Sequence, residues 1–226
     1  MSSVLETTDE RRSQRGEPAW EVARLFPTQG DWTEADYDVL ESWAEGFIEL
    51  HDGFLEFPPM VDFVHQFNFE FLYRALLNHL ETTRTPGRVI PPPFPIKLAD
   101  DTIREPDIVY VLPHRIVDLR KKPEGADLVM EIVSPGSEAR KRDFEEKRAD
   151  YAQAGISEYW IIDPLKKAVH VLTLDGAPAA GEYREHGAFG SGATATSLLL
   201  SGFEIEVDAL FTAGEDPAPK WSKSPL

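Results

Sequence analysis

Apolar and polar positions along the chain recur with periods that predict three helices separated by short strands. Thr33 is placed to cap a helix over residues 34–43. Apolar side chains at spacings of three and four predict a second helix over residues 61–80. A third helix is predicted over residues 138–154, with Ser137 as its N-cap and Gly155 as its end.

Short runs of β-forming residues between these helices predict the strands of a sheet. Asp52-Gly53 stands between two short apolar runs, which is a strong signal for a two-residue hairpin turn. The prolines within residues 89–98 favour an edge strand. Further strands are predicted over residues 106–112, 127–133, 158–163 and 168–174, and residues 198–207 close the domain.

The order of these elements predicts the fold class α/β, of the mixed α+β type. A strand, a helix and a strand follow one another over residues 127–163, so we expect one parallel crossover in a mixed sheet flanked by helices. The strand over residues 127–133 is apolar on both faces and is therefore predicted to be central. An N-terminal helix and the β-hairpin precede this core.

Length and composition fit one domain with two tails. Of 226 residues, 42% are hydrophobic, and we expect a domain over residues 19–212 between flexible segments 1–18 and 213–226. No apolar run approaches the roughly 18 residues that cross a bilayer, and no signal-peptide pattern is visible, so a cytoplasmic location is expected. The absence of cysteine excludes disulfides, thiolate metal sites and cysteine nucleophiles.

The net charge of −17 argues against wide, non-specific binding of nucleic acid, which relies on Lys and Arg at phosphates. A local basic groove remains compatible with this charge. Arg140-Lys141-Arg142, together with Arg104, is the local candidate for phosphate contact. Acidic neighbours alternate with this cluster, so a solvated helix face is the alternative.

Glu131 and Lys147 each break the pattern around them. Glu131 lies in the most apolar strand, where a lone carboxylate is costly unless a cation or solvent meets it. Lys147 shares a helix face with Phe144 and Tyr151, the face that should pack on the sheet. Its side chain could reach solvent along that face, or it could point its ammonium at Glu131. In the second case the two anomalies explain each other.

Two further acids are candidates. In a two-residue turn at Asp52-Gly53, Glu49 stands opposite Glu56, and the two carboxylates repel each other. Either the pair lies at a solvated edge, or a cation such as Mg²⁺ sits between or near the carboxylates. Asp107 follows Pro106 at the start of an apolar strand, which taken alone is a common turn feature.

Converging Asp, Glu and Lys side chains suit phosphodiester hydrolysis, which needs a carboxylate-held metal and a cation for the developing charge. The six histidines show no zinc-ligand spacing, and no glycine-rich phosphate loop is present. The stretch Ser134 to Ser137 lacks the Gly-x-Ser-x-Gly elbow, so a serine hydrolase is discounted.

Several motifs, in this order and spacing, resemble the Uma-type putative restriction-endonuclease family of the PD-(D/E)XK nuclease superfamily. The resemblance runs from about Tyr37 to Leu210 and includes Glu49-Leu-His-Asp-Gly53. Its other segments are Glu105-Pro-Asp107 and residues 126–135, 146–155 and 159–164. It implies a restriction-endonuclease-like core.

The resemblance also implies a set of site residues. Asp107 and Glu131 would bind the metal, with Glu49 as an assisting upstream acid. Val133 stands where the superfamily has its lysine, so Lys147 from the helix would take that role. His65 resembles a family histidine, for which a structural cap or hydrogen-bond role is the alternative to a catalytic one.

The function implied is a Mg²⁺- or Mn²⁺-dependent endonuclease that hydrolyses phosphodiester bonds, with DNA as the expected partner and no membrane association. A homodimer is compatible with this function, since cutting both strands requires a second active site. The alternative is a catalytically silent nuclease-fold module that acts in protein binding or assembly.

Overall fold

A computed structural model of the protein describes residues 26–42, 47–58, 60–174 and 181–218. The predicted tail over residues 1–18 lies outside this part of the chain. Helices in the described part are α1 (Glu34–Glu41), α2 (Phe63–Thr83), α3 (Ser137–Lys141), α4 (Lys147–Gln153) and α5 (Val207–Glu215). The strands are β1 (Glu49–His51), β2 (Phe54–Glu56), β3 (Arg88–Ile90), β4 (Ile96–Ala99), β5 (Thr102–Arg104), β6 (Ile108–Val111), β7 (Leu128–Ile132), β8 (Glu158–Asp163), β9 (Ala168–Leu174), β10 (Tyr183–Phe189), β11 (Thr194–Thr196) and β12 (Glu204–Glu206).

The larger sheet has six strands in the order β10-β9-β8-β7-β6-β3. Strands β7 and β8 are parallel, and the other neighbours are antiparallel. The predicted mixed sheet, its single parallel crossover and the central place of β7 are therefore confirmed. The segment predicted over residues 89–98 divides into β3 and β4, which are both edge strands, as predicted, and its prolines lie between them.

Apolar layers cover both faces of β7. Leu128 and Met130 pack in a cluster with Leu72 of α2 and Leu210 of α5. The alternate positions of β7 point to the other face, where Val129 packs with side chains of α4. Glu131 shares this second face, so its carboxylate enters the layer between the sheet and α4.

A smaller sheet, ordered β2-β1-β5-β4, carries the predicted hairpin. Glu49 stands opposite Glu56, as expected. Asp52 and Gly53 have φ angles of 49° and 75°, the left-handed pair that a two-residue hairpin turn needs. A Cβ at Gly53 would lie 2.5 Å from the carbonyl oxygen of Gly30, so only glycine fits there. Strand β5 was not predicted, because its three residues are too few to show a period.

The helix starts and ends differ from the predictions in detail. Thr33 caps α1 as predicted and forms a capping box with Asp36; Trp43 lies outside the described residues. Helix α2 begins at Phe63, because Asp62 accepts a hydrogen bond from the His65 amide and acts as the N-cap. The prediction of Ser137 as an N-cap is wrong: the cap position is Gly136, which offers no side chain.

The predicted third helix is interrupted by a π-helical turn, Arg142–Glu146, between α3 and α4. At the C-terminal side, the segment predicted over residues 198–207 contains β12 and continues into α5. That helix extends through Glu215, so residues 213–215 of the expected tail are helical; residues 219–226 lie outside the described part. Among the described residues, no helix combines the length and apolar composition that a membrane crossing requires.

Glu158 fastens the loop after β11 to the central sheet. Its buried carboxylate accepts hydrogen bonds from the Trp160 indole (2.7 Å), the Ser197 hydroxyl (2.6 Å) and the backbone amides of Leu198 (2.8 Å) and Leu199 (2.9 Å). Each carboxylate oxygen thus accepts two bonds. This arrangement leaves no place for a donor group.

We therefore expect Glu158→Gln to destabilise the fold by about 2–4 kcal/mol, because the new amide group must face two donors in either orientation. Urea denaturation followed by circular dichroism measures the change. Glu204→Gln, at an exposed position of β12, is the matched control and should change the free energy of unfolding by less than about 0.5 kcal/mol. Equal stability of the two variants would contradict the assigned role of Glu158.

Candidate active site

Three elements bring the predicted site residues to one cleft. Asp107 directly precedes β6, Glu131 lies in the neighbouring strand β7, and Lys147 is the first residue of α4, which covers that face of the sheet. Glu49 of the hairpin and His65 of α2 line the same cleft. The structure therefore brings together all five residues that the sequence analysis singled out.

Lys147 points into the protein, at the carboxylates. Its Nζ lies 2.8 Å from Oε1 of Glu131 and 3.0 Å from Oε1 of Glu49. Burial alone would lower the pKa of Lys147, but the carboxylates of Glu131 and Glu49 outweigh burial and raise it. The side chain is thus a charged ammonium held between two acids, as the pairing of the two sequence anomalies predicted.

Glu131 is surrounded by more negative charge than the ammonium of Lys147, which it shares with Glu49, can neutralise. Its Oε1 also accepts a hydrogen bond from the Tyr151 hydroxyl at 2.6 Å. Burial raises the pKa of Glu131, Lys147 lowers it, and the nearby carboxylates of Asp107 and Asp143 raise it further, to about 8. Protonation or an additional cation would relieve this repulsion.

Glu49, in contrast to Glu131, has a lowered pKa. Burial would raise its pKa, but Lys147 and Arg104 lower it to about 2. Oε1 accepts a bond from the backbone amide of Glu105 at 3.0 Å, and Oε2 accepts one from Arg104 at 3.0 Å. Both oxygens of Glu49 are therefore already held by donors of the protein itself.

The cation between Glu49 and Glu56 is the guanidinium of Arg104. Its NH1 lies 3.0 Å from Glu49 and 2.6 Å from Glu56, while its other nitrogens bind Asp150 at 2.8 and 2.9 Å. The side chain is completely buried. The expectation that Arg104 contacts phosphate is therefore wrong, because no part of it reaches solvent.

The other residues of the predicted basic cluster differ in their contacts. Arg140 forms an ion pair with Asp163, and Lys141 one with Glu146 at 2.9 Å. Arg142 lines the cleft, and its buried Nε has no hydrogen-bond partner within the described structure. Of the predicted phosphate contacts, Arg142 is the one placed at the carboxylates.

Asp107 is oriented by two donors. Its Oδ2 accepts a bond from the backbone amide of Ile132 at 2.7 Å and lies 3.1 Å from Nε2 of His65. Burial would lower the pKa of His65, but the carboxylate of Asp107 raises it overall. Both contacts end on one oxygen, and no described residue donates a hydrogen bond to Oδ1. His65 thus holds Asp107 in place, which is the hydrogen-bond role left open by the sequence.

Asp143 is a site residue that sequence reasoning missed. It lines the cleft from the π-helical turn and is almost fully buried. Burial raises the pKa of Asp143 to about 6, against the attraction of Lys147 and Arg142. Its spacing of four from Lys147 puts both on one helix face and was the available signal. Single π-helical turns often occur at functional sites.

Asp107, Glu131 and Asp143 together form an all-oxygen donor set. Hard divalent cations such as Mg²⁺ and Mn²⁺ prefer such ligands. Burial raises the pKa values of Glu131 and Asp143, and the neighbouring carboxylates raise them further. The donor chemistry of these residues suits a divalent cation, with Asp107 and Glu131 as the candidate ligands.

Among the described residues, the group whose potential ligand atoms lie within 4.8 Å of one another is a different one, near the hairpin: His51, Glu56 and Glu146. Glu56 is bound by Arg104 and Glu146 by Lys141, so protein cations already neutralise two of its members. The lining of the active-site cleft does not include these residues.

Comparisons with known proteins agree with this geometry. The family model described as Uma2, putative restriction endonuclease, matches residues 35–208. A crystal structure of a putative nuclease belonging to DUF820 from Anabaena variabilis superposes with a TM-score of 0.61 at 18% identity, over 76% of this chain and 93% of that one. At this identity the likeness shows the fold. No curated protein matches the chain.

Arg104→Met should destabilise the protein by about 3–5 kcal/mol, because it leaves Glu49 buried without one of its two cations. Urea denaturation measures the loss, and the double variant Arg104→Met with Glu49→Gln should recover part of it. Arg120→Met, at an exposed position, is the matched control. A loss no larger than that of the control would contradict the network described for Arg104.

A second expectation concerns pH. The unfolded chain ionises Glu131 near the ordinary pKa of 4.5 and the folded chain at about 8, so the native state binds more protons between these values. The contribution of Glu131 to stability therefore falls as the pH rises through this window.

Glu131→Gln removes the ionisation, so its free energy of unfolding should fall less steeply from pH 5 to pH 8. The gap to wild type should reach on the order of a few kcal/mol. Urea titrations at the two pH values measure it, with exposed Glu138→Gln as the control. Parallel pH profiles for wild type and Glu131→Gln would refute the raised pKa.

Proposed function

The chain belongs to the Uma2 family of putative restriction endonucleases, and from this premise we propose that it is a divalent-metal-dependent endonuclease acting on DNA. One observation carries the proposal: Asp107, Glu131 and Lys147 converge at one cleft although each comes from a different element. The fold neighbour from Anabaena variabilis is itself described as a putative nuclease, which supports the same class of reaction.

Asp107 and Glu131 would hold the cation, Mg²⁺ or Mn²⁺. Such an ion polarises the phosphoryl oxygen and lowers the pKa of a bound water. Three contacts orient the proposed ligands: His65 and the Ile132 amide hold Asp107, and the Tyr151 hydroxyl holds Glu131. Positions held in this way need no rearrangement when substrate arrives.

Lys147 would orient the attacking water and stabilise the negative charge that develops on the phosphate. Its Nζ donates a hydrogen bond to Oε1 of Glu131 at 2.8 Å, so the ammonium lies beside a proposed metal ligand. Glu49 assists by holding Lys147 from the opposite side at 3.0 Å. The structure thus favours a supporting role for Glu49, because both its oxygens are occupied by donors.

Substrate binding would rely on Arg142 in the cleft, which is placed to contact a phosphate. With a net charge of −17, few other contacts of this kind are expected. A homodimer would supply the second site that double-strand cleavage needs, and this assembly remains a prediction.

Cleavage of a supercoiled plasmid and of a circular single-stranded DNA tests the proposal. With Mg²⁺ or Mn²⁺ the wild-type chain should nick DNA, and chelation by EDTA should stop the reaction. Asp107→Asn and Lys147→Met should each lower the rate by about 100-fold or more, because each removes charge stabilisation from the transition state. Asp118→Asn, at an exposed position, is the matched control and should retain full activity.

Wild-type chain without metal-stimulated cleavage, or variants as active as wild type, would refute the enzyme function. A catalytically silent module that acts in protein binding or assembly would then be the better interpretation of the same fold. Circular dichroism of each variant separates loss of activity from loss of fold.

A further inference from the structure

Exposed apolar side chains concentrate beside the cleft. We name as the apolar rim the residues Phe47 (47% exposed), Phe57 (68%), Met60 (100%), Val61 (37%) and Phe63 (78%). Two of them, Phe47 and Val61, line the cleft itself together with the catalytic carboxylates. A concentration of large apolar groups in solvent marks a binding surface.

The position of the rim restricts its occupant. Phe47 and Val61 line the same cleft as Asp107 and Glu131, so a nucleotide next to a phosphodiester bound at these acids would lie near them. Aromatic side chains bind the flat faces of nucleobases by stacking. In a duplex those faces are covered by adjacent base pairs, whereas an unpaired base leaves them free.

The distribution of charge also argues against a duplex as the occupant. Tight duplex binding needs several Lys or Arg contacts to phosphates. Within the predicted basic cluster, Arg104 is buried and Arg140 and Lys141 are paired with acids. Arg142 lines the cleft, where its Nε lies 3.7 Å from Asp143. The cleft's other cation, Lys147, is shared by two carboxylates. Affinity must therefore come mainly from uncharged contacts.

We propose that the apolar rim stacks unpaired bases of a single-stranded nucleic acid and so directs the cleft to single-stranded rather than duplex substrate. The inference rests on the proposed nuclease function, because it takes the phosphodiester to lie at Asp107 and Glu131. Phe47 binds the base next to that phosphodiester, Phe57 extends the surface outwards, and Arg142 holds a phosphate.

Fluorescence anisotropy with the full chain and Ca²⁺ tests this, using a labelled fifteen-nucleotide oligo(dT) and a hairpin duplex of equal length. Oligo(dT) should bind about tenfold or more tightly than the duplex, with a shallow dependence on salt. Phe47→Ala and Phe57→Ala should each weaken oligo(dT) binding by about tenfold. Leu165→Ala, in the β8–β9 turn and 71% exposed, is the matched control and should bind as wild type does.

Two conservative variants separate stacking from general apolar contact. Phe47→Trp should retain binding, since it keeps an aromatic face, and Phe47→Leu should lose it although it keeps apolar area. Equal binding by Phe47→Leu and wild type would overturn the proposal, as would tighter binding of the duplex.

The rim could instead join two copies of the chain, and sedimentation velocity on the same variants decides this. If Phe57→Ala dissociates a dimer while oligo(dT) binding is unchanged, the rim is a protein interface and the proposal is wrong. Binding is measured without turnover, so a chain that binds oligo(dT) but never cleaves refutes the nuclease function alone. A nuclease that cuts duplex and single strand equally refutes the strand preference alone.

Discussion

A lysine ammonium buried between two carboxylates joins the two sheets of this protein. Glu131 belongs to the six-stranded sheet, Glu49 to the hairpin sheet, and Lys147 begins the helix between them. Removing the ammonium of Lys147 would leave Glu49 and Glu131 buried without the cation they share, which is among the most destabilising changes a fold can suffer. The relative position of both sheets at the cleft therefore depends on this triplet.

Arg104 is a second cation that is shared by several carboxylates. Its buried guanidinium binds two carboxylates of the hairpin and one of α4. A planar group with five donors can satisfy three carboxylates at once, which an ammonium cannot do with fixed geometry. The consequence for function is that Glu49 is fully neutralised and stays rigid, so Lys147 is held at a defined position beside Glu131.

Stability and chemistry oppose each other in the cleft. Burial raises the pKa values of Glu131 and Asp143, and repulsion between the carboxylates of the cleft raises them further. A fold selected for stability alone would replace such groups by neutral ones, whereas a cation site requires them. The apolar rim is a similar case, because exposed phenylalanines and a methionine cost solvation and contribute nothing to the core. Both features concentrate at one place on the surface.

Much of the fold followed from local patterns. The left-handed turn at Asp52-Gly53, the central position of β7 and the parallel crossover were all predicted, since each depends on residue types within a short stretch. The pairing of Glu131 with Lys147 was also predicted, because a charge inside an apolar pattern requires a partner and the covering helix supplied one. Strand β5, β10, β11 and helix α5 were missed, since short or polar segments carry no clear period.

Other features of the site were decided by tertiary structure. Arg104 resembled a surface cation in the sequence, and only the meeting of β5 with the hairpin and α4 made it a buried counterion. Asp143 resembled a solvated helix residue until the π-helical turn brought it into the cleft. The exposure of Phe57 and Phe63 could not be read from a sequence in which core and surface aromatics look alike. The sequence by itself determined what each side chain requires, and tertiary packing decided which of several distant groups meets that requirement.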